Sequence, residues 1–167
     1  KLFTRFHQLV PYLDGISLPG CLSNVVSVGA TDLNDGLAGF SNSSGFLDLL
    51  APGASINSSM PGGGYQAQPG TSFATPHVAG AWAILAQAVP NASIDQMLTA
   101  LKLSGPLVND PRNGIITPRL QVDAAVTTLQ GGVPPHYDVL VNEIRGTDTE
   151  AVELYNQGDT SADLSGW

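Results

Sequence analysis

The chain, 167 residues long, predicts an α/β layer fold on three observations. Short apolar runs at Val25–Val28 and Phe46–Leu50 have the pattern of strands buried in a parallel sheet. A long stretch rich in Ala, Val, Ile, Leu, Phe and Trp follows from Ser72 to Val89 and suits a helix in the middle of a domain. Strands are mixed with helices along the chain, which favours stacked layers.

Each element has its own signal. The first strand ends at Gly29, and the second precedes an Ala-Pro-Gly turn. Residues 55–68 hold Pro61-Gly62-Gly63-Gly64 between segments able to pair, so a hairpin is expected, leading to Gly70. The stretch from Ser72 is apolar on nearly every face, which predicts burial on most sides, with Pro76 in the first turns where an absent N–H costs least. Ser93 is the expected N-cap of a second helix, with Ile94, Met97, Leu98 and Leu101 on one face and an end near Gly105. A third, shorter helix is expected over Val122–Leu129.

Composition shifts after residue 130. Gly131-Gly132-Val133-Pro134-Pro135 is a short, partly stiff linker of the kind that marks a domain boundary. The expected organisation is a domain over 1–130, of which 1–11 is atypical, a linker over 131–137 and a second segment over 138–167. That last segment holds seven acidic residues and one Arg, so most of the net charge of −8 sits there. Its runs Val139–Ile144 and Ala151–Tyr155 read as strands, too few to close a sandwich.

With 43% hydrophobic and 12% charged residues, the composition supports a packed core. The acidic balance argues against a nucleic-acid surface. The longest apolar run, Val78–Val89, is too short for a bilayer span. Cys21 is the single cysteine, so no internal disulfide can form. No His or Cys cluster has zinc spacing.

The chemistry concentrates at Gly70-Thr71-Ser72-Phe73-Ala74-Thr75-Pro76-His77-Val78-Ala79-Gly80. A hydroxyl between a helix-breaking glycine and an apolar helix sits at a helix N-terminus, where free N–H groups and the dipole favour negative charge. The residue types alone admit two readings: Thr71 or Ser72 caps the helix, or Ser72 is a nucleophile beside a developing oxyanion.

The full string resembles the nucleophile motif of the subtilases, the subtilisin-like serine peptidases, with Phe73 in place of the usual Met. The resemblance extends to Asn24-Val-Val-Ser-Val-Gly-Ala-Thr-Asp32, Phe40-Ser-Asn42, Leu47-Asp-Leu-Leu-Ala-Pro-Gly53 and Pro118-Arg-Leu-Gln-Val-Asp-Ala-Ala125, in the family's order. It implies part of a subtilisin-like parallel-sheet layer fold, a buried nucleophile helix, Ser72 as catalytic nucleophile, a protein or peptide substrate and a secreted, extracellular location. No cofactor is required for acyl transfer through serine.

A serine nucleophile needs a base and a group to orient it. In subtilases the order is Asp, His, Ser, yet only 71 residues precede Ser72. His7 and Asp14 come in the wrong order and lack the family's glycine-rich surroundings. His77, five residues on, is rotated roughly 140° around the helix from Ser72, and a buried hydrogen bond is its expected role. His136 lies in the Pro-Pro-His-Tyr linker and reads as exposed. The family's oxyanion Asn, in a Gly-Asn turn, has no counterpart. The expectation is therefore the C-terminal part of a subtilase catalytic domain, inactive alone, whose partner is the missing N-terminal portion of its own domain. The alternatives are a non-catalytic secreted interaction module built on the acidic tail, or a degraded reading frame.

Two further resemblances carry expectations. Val141-Asn-Glu-Ile144, Glu153-Leu-Tyr-Asn-Gln-Gly158 and Asp163-Leu-Ser-Gly-Trp167 resemble the start of a lamin-tail domain, which implies an incomplete β-sandwich at the C-terminus. Some subtilases bind calcium through an Asp at the position of Asp32 with carbonyls from a loop matching Leu18–Cys21. A turn-capping Asp is the other reading of that residue.

Overall fold

In the computed structural model the described residues are 11–131, together with the strand backbones of 139–145 and 151–156. Strands β1 (Val28–Thr31) and β2 (Leu49–Pro52) pair in parallel, Val28 opposite Leu49 and Thr31 opposite Pro52. A parallel bridge joins Leu50 to Arg119, and the Leu120 N–H donates to the Leu50 carbonyl at 2.7 Å, so the chain before the last helix runs beside β2. Strands β3 (Ile56–Ser59) and β4 (Tyr65–Gln68) form the expected hairpin. Its turn holds Gly62, Gly63 and Gly64 at φ 86°, 98° and 83°, a backbone region that glycine enters without steric cost.

Both strands of the parallel pair lie three residues or so later than the apolar runs suggest. Ser27 is the cause. Its N–H and hydroxyl both donate to Asp48 Oδ2 at 2.8 Å, and the Leu49 N–H reaches the Ser27 carbonyl. The ladder can begin only past this polar clasp, leaving Val25 and Phe46 in exposed turns.

Helix α1 (Thr71–Ala88) packs on β1 and β2. Helix α2 (Ile94–Ser104) starts with a full capping box: Ser93 Oγ accepts from the Gln96 N–H, and Gln96 Oε1 accepts from the Ser93 N–H. Strands β5 (Leu107–Asn109) and β6 (Ile116–Pro118) form a second hairpin, and α3 (Val122–Leu129) packs on α1 and α2. The core joins Ala30, Leu49 and Ala51 of the sheet to Ala74, Val78, Ala81 and Leu85 of α1, and to Met97, Leu101 and Ala125. On α2, Met97 and Leu101 face the core as expected, but Ile94, in the first turn, is 69% exposed.

The burial of α1 departs most from expectation. Its buried residues are Ala74, Val78, Ala81 and Leu85, a single stripe at helical spacing, while Ala79, Gly80, Ala83 and Ile84 are exposed. A two-stranded parallel pair and two short helices cover one side of an 18-residue helix and cannot reach the others.

Beyond the linker, β7 (Val139–Arg145) and β8 (Ala151–Asn156) pair antiparallel with an irregularity at Val141/Glu143, matching the two strands expected there. The rest of the linker and the C-terminal segment, His136 included, lie outside the described residues.

Candidate active site

Ser72 is the second residue of α1 and its side chain is exposed. The N-cap is Gly70, with φ 155° and ψ 152°, and no side chain caps the helix. Neither Thr71 nor Ser72 caps it, so the positive end of α1 stays open beside the serine hydroxyl. Thr75 Oγ1 instead donates back to the Thr71 carbonyl at 3.1 Å.

Three contacts fix where this helix begins. The Gly70 N–H donates to the Gly53 carbonyl at 2.8 Å, tying the turn after β2 to the helix start. A Cβ on Gly53 would come within 2.6 Å of Ala30 Cβ and 3.3 Å of Ala74 Cβ, so the glycine lets helix and sheet meet closely. The Gly53 N–H in turn donates to the Thr31 carbonyl at the end of β1. Ser72 therefore sits at the carboxyl ends of two parallel strands, the usual place for ligand sites in open α/β sheets.

Pro76 is the sixth residue of α1 and lies beyond the free N–H groups of the first turn. Its missing N–H is the one that would bond the Ser72 carbonyl, so the absence costs a helical hydrogen bond, unlike a proline in the first turn.

A cavity of about 480 Å³ opens next to Ser72, with Thr71 and Thr75 also on its wall. Ile16, Leu18, Val26, Val28, Phe40 and Leu47 supply apolar surface, and Pro19 and Gly20 also line it. Sequence reading did not assign residues 16–20 to the site. They are a short loop with no periodicity, and only the chain path brings them to Ser72.

The other candidate residues do not converge on Ser72. Among the described residues, no side chain holds a hydrogen bond to the Ser72 hydroxyl. His77 Nδ1 donates to the Phe73 carbonyl at 2.8 Å, which supplies the expected hydrogen bond, but the residue is exposed rather than buried because its face of α1 is bare. Asp14 is exposed and does not line the cavity. His7 lies outside the described residues. Asp32 Oδ1 accepts from the Asn34 and Gly36 N–H groups at 2.8 and 3.1 Å, an Asx turn after β1. Among the described residues no three His, Cys, Asp or Glu side chains cluster as a metal set. Asp48 is occupied by Ser27 and by Lys102 Nζ at 3.1 Å.

One ion pair braces the rim of the cavity. Asp110 is 2% exposed and accepts from Arg112 Nε at 2.8 Å and Nη2 at 2.9 Å. The Arg112 hydrogen bond is the main cause that holds the Asp110 carboxyl at about 2, outweighing the burial that pushes it upward.

The sequence matches the subtilase family over residues 10–131. The chain belongs to that family. It is similar to an intracellular serine protease of Paenibacillus polymyxa, 43% identical over 113 residues that make up 62% of this chain and 34% of that protein. Subtilisin BL of Lederbergia lenta is 46% identical over 87 residues, 52% of this chain and 32% of that protein. Among solved structures, the patellamide maturation protease PatA superposes with a TM-score of 0.60 at 35% identity, covering 69% of this chain and 46% of that one. The prenylagaramide maturation protease PagA gives 0.61 at 31%, covering 70% and 46%. This subtilase chain thus spans about a third of the length of these curated relatives. The subtilases are the subtilisin-like serine peptidases, and the α/β core of this chain is of the subtilisin kind.

Proposed function

We propose that this chain carries the nucleophile of a serine endopeptidase, with Ser72 Oγ attacking a peptide carbonyl to form an acyl-enzyme that water then hydrolyses. The observation that supports it best is the exposed Ser72 hydroxyl at the uncapped first turn of α1, opening onto a cavity lined by apolar and hydroxyl-bearing side chains together. The first-turn N–H groups would hold the developing oxyanion. The cavity would take an apolar side chain of the substrate beside the scissile bond. The reaction as proposed uses no cofactor, and the geometry of Asp32 favours its turn role over calcium.

The base that takes the Ser72 proton and the carboxylate that orients it belong, in this proposal, to an N-terminal portion of the domain that the chain lacks, leaving the chain inactive by itself. The bare face of α1 supports this, as apolar helix surface normally lies against another element. Export is proposed from the subtilisin relatives. No helix among the described residues is long and apolar enough to cross a membrane. Residues 138–167 are proposed as the start of a lamin-tail-like β domain, with which the β7–β8 hairpin is compatible.

The test is labelling with a fluorophosphonate, which modifies a serine only when a base activates it. No label on Ser72 in the 167-residue chain agrees with the proposal. Robust labelling that Ser72→Ala abolishes would place a base within the chain and contradict it.

A further inference from the structure

We infer that Arg112, on the turn between β5 and β6, is a positioning residue that sets the width of the cavity beside Ser72 and thereby the substrate side chains that it admits. The inference rests on the proposed reading of that cavity as the seat of a substrate side chain.

Arg112 does not line the cavity. It acts through the carbonyls on either side of Phe40, a wall residue: Nη1 donates to the Gly39 carbonyl and Nη2 to the Ser41 carbonyl, both at 3.0 Å. The guanidinium is itself held by both carboxylate oxygens of the buried Asp110, and the Arg112 N–H donates to Oδ1 at 2.9 Å. Five donors in a fixed plane can meet two carbonyls and a carboxylate at once. Phe40 is thus pinned from both flanks by a group that cannot swivel.

The same turn also reaches the segment before residue 16. Asn113 Nδ2 donates to the Leu13 carbonyl and, at 3.0 Å, to Ser43 Oγ. Ser43 exchanges backbone hydrogen bonds with the Tyr12 to Gly15 segment: its N–H donates to the Tyr12 carbonyl at 2.9 Å, and the Gly15 N–H donates to its carbonyl at 3.0 Å. The Tyr12 N–H also donates to Asn42 Oδ1 at 2.9 Å. That segment leads directly into Ile16 and Leu18, which also line the cavity. Two stretches of the cavity wall therefore hang from one turn, and the stretch at Phe40 is the one that the Arg112 fork holds.

A lysine at 112 keeps the charge but loses the fork, so it releases at least one flank of Phe40. The test is an NMR titration of the 167-residue chain with N-acetyl-phenylalanine amide and N-acetyl-alanine amide, comparing wild type, Arg112→Lys, Arg112→Met and, as a control for lost stability away from the cavity, Ser93→Ala. The expected result is a preference for the phenylalanine amide that narrows by about tenfold in both Arg112 variants and is unchanged in Ser93→Ala. An unchanged preference in Arg112→Lys, or an equal weakening for both amides, overturns the positioning role and leaves the cavity reading intact. Failure of wild type to bind either amide overturns the cavity reading, and the inference with it.

Discussion

The Gly70 N–H and the Gly53 carbonyl meet at 2.8 Å, and this one bond joins the end of the parallel strand pair to the start of the helix that presents Ser72. Both partners are glycines for steric reasons. Gly53 has Ala30 Cβ, the Gly70 carbonyl and Ala74 Cβ pressed around the position of its absent side chain. Gly70 has a φ of 155°, which side-chain-bearing residues rarely adopt.

Gly53→Ala is accordingly expected to push α1 away from β1. A methyl within 2.6 Å of Ala30 Cβ and 2.9 Å of a backbone oxygen has no flexible neighbour to displace. The expected loss is about 1–3 kcal/mol, read as a lowered urea midpoint with unchanged m. An unchanged midpoint would show that helix and sheet are not held this closely.

The outline of this fold was legible where local physics decides it. Ser93 and Gln96 spell a capping box, and the Pro-Gly-Gly-Gly run can only be a turn, so α2 and the β3–β4 hairpin lie where the residues place them. The strand positions were not legible, because Asp48 and Ser27 are 21 residues apart and their clasp moves the start of the ladder. Ser72 is a candidate read from its neighbours in sequence. The loop at residues 16–20 and the Arg112 brace could not be read that way, since they reach the site through contacts over 70 residues or more in the case of Arg112. The exposed side of α1 was not legible for a related reason. Apolar composition tells how much surface wants cover, not whether the chain at hand provides it.

Leu85 is the largest fully buried side chain on the covered stripe of α1. Leu85→Ala is expected to cost about 2–5 kcal/mol by chemical denaturation, the range for truncating a packed core leucine. Ile84, its neighbour, is 49% exposed, and Ile84→Ala should change stability far less, within about 0.5 kcal/mol. Equal losses at the two positions would mean that both sides of α1 are covered.

Acid should loosen the cavity rim through Asp110. Its folded-state value of about 2 lies below the ordinary 3.8, chiefly because of the Arg112 hydrogen bond. Depression of a carboxyl means that its contribution is fully present above pH 4 and is lost as pH falls toward 2. The size is roughly 2 kcal/mol, from the linkage between pKa and stability. Thermal melts between pH 5 and 2 should show this loss in wild type, and Asp110→Asn should start less stable and fall less steeply. Parallel curves for the two proteins would remove Asp110 as the source.

The proposed role of Ser72 is tested most directly by fluorophosphonate labelling of the chain, alone and mixed with a polypeptide bearing the Asp and His half of a subtilisin relative. Ser72 is expected to stay unlabelled in the chain alone and to be labelled specifically once the two halves bind each other. Label on the isolated chain that Ser72→Ala removes would contradict the proposal, as would a bound mixture in which Ser72 stays unlabelled.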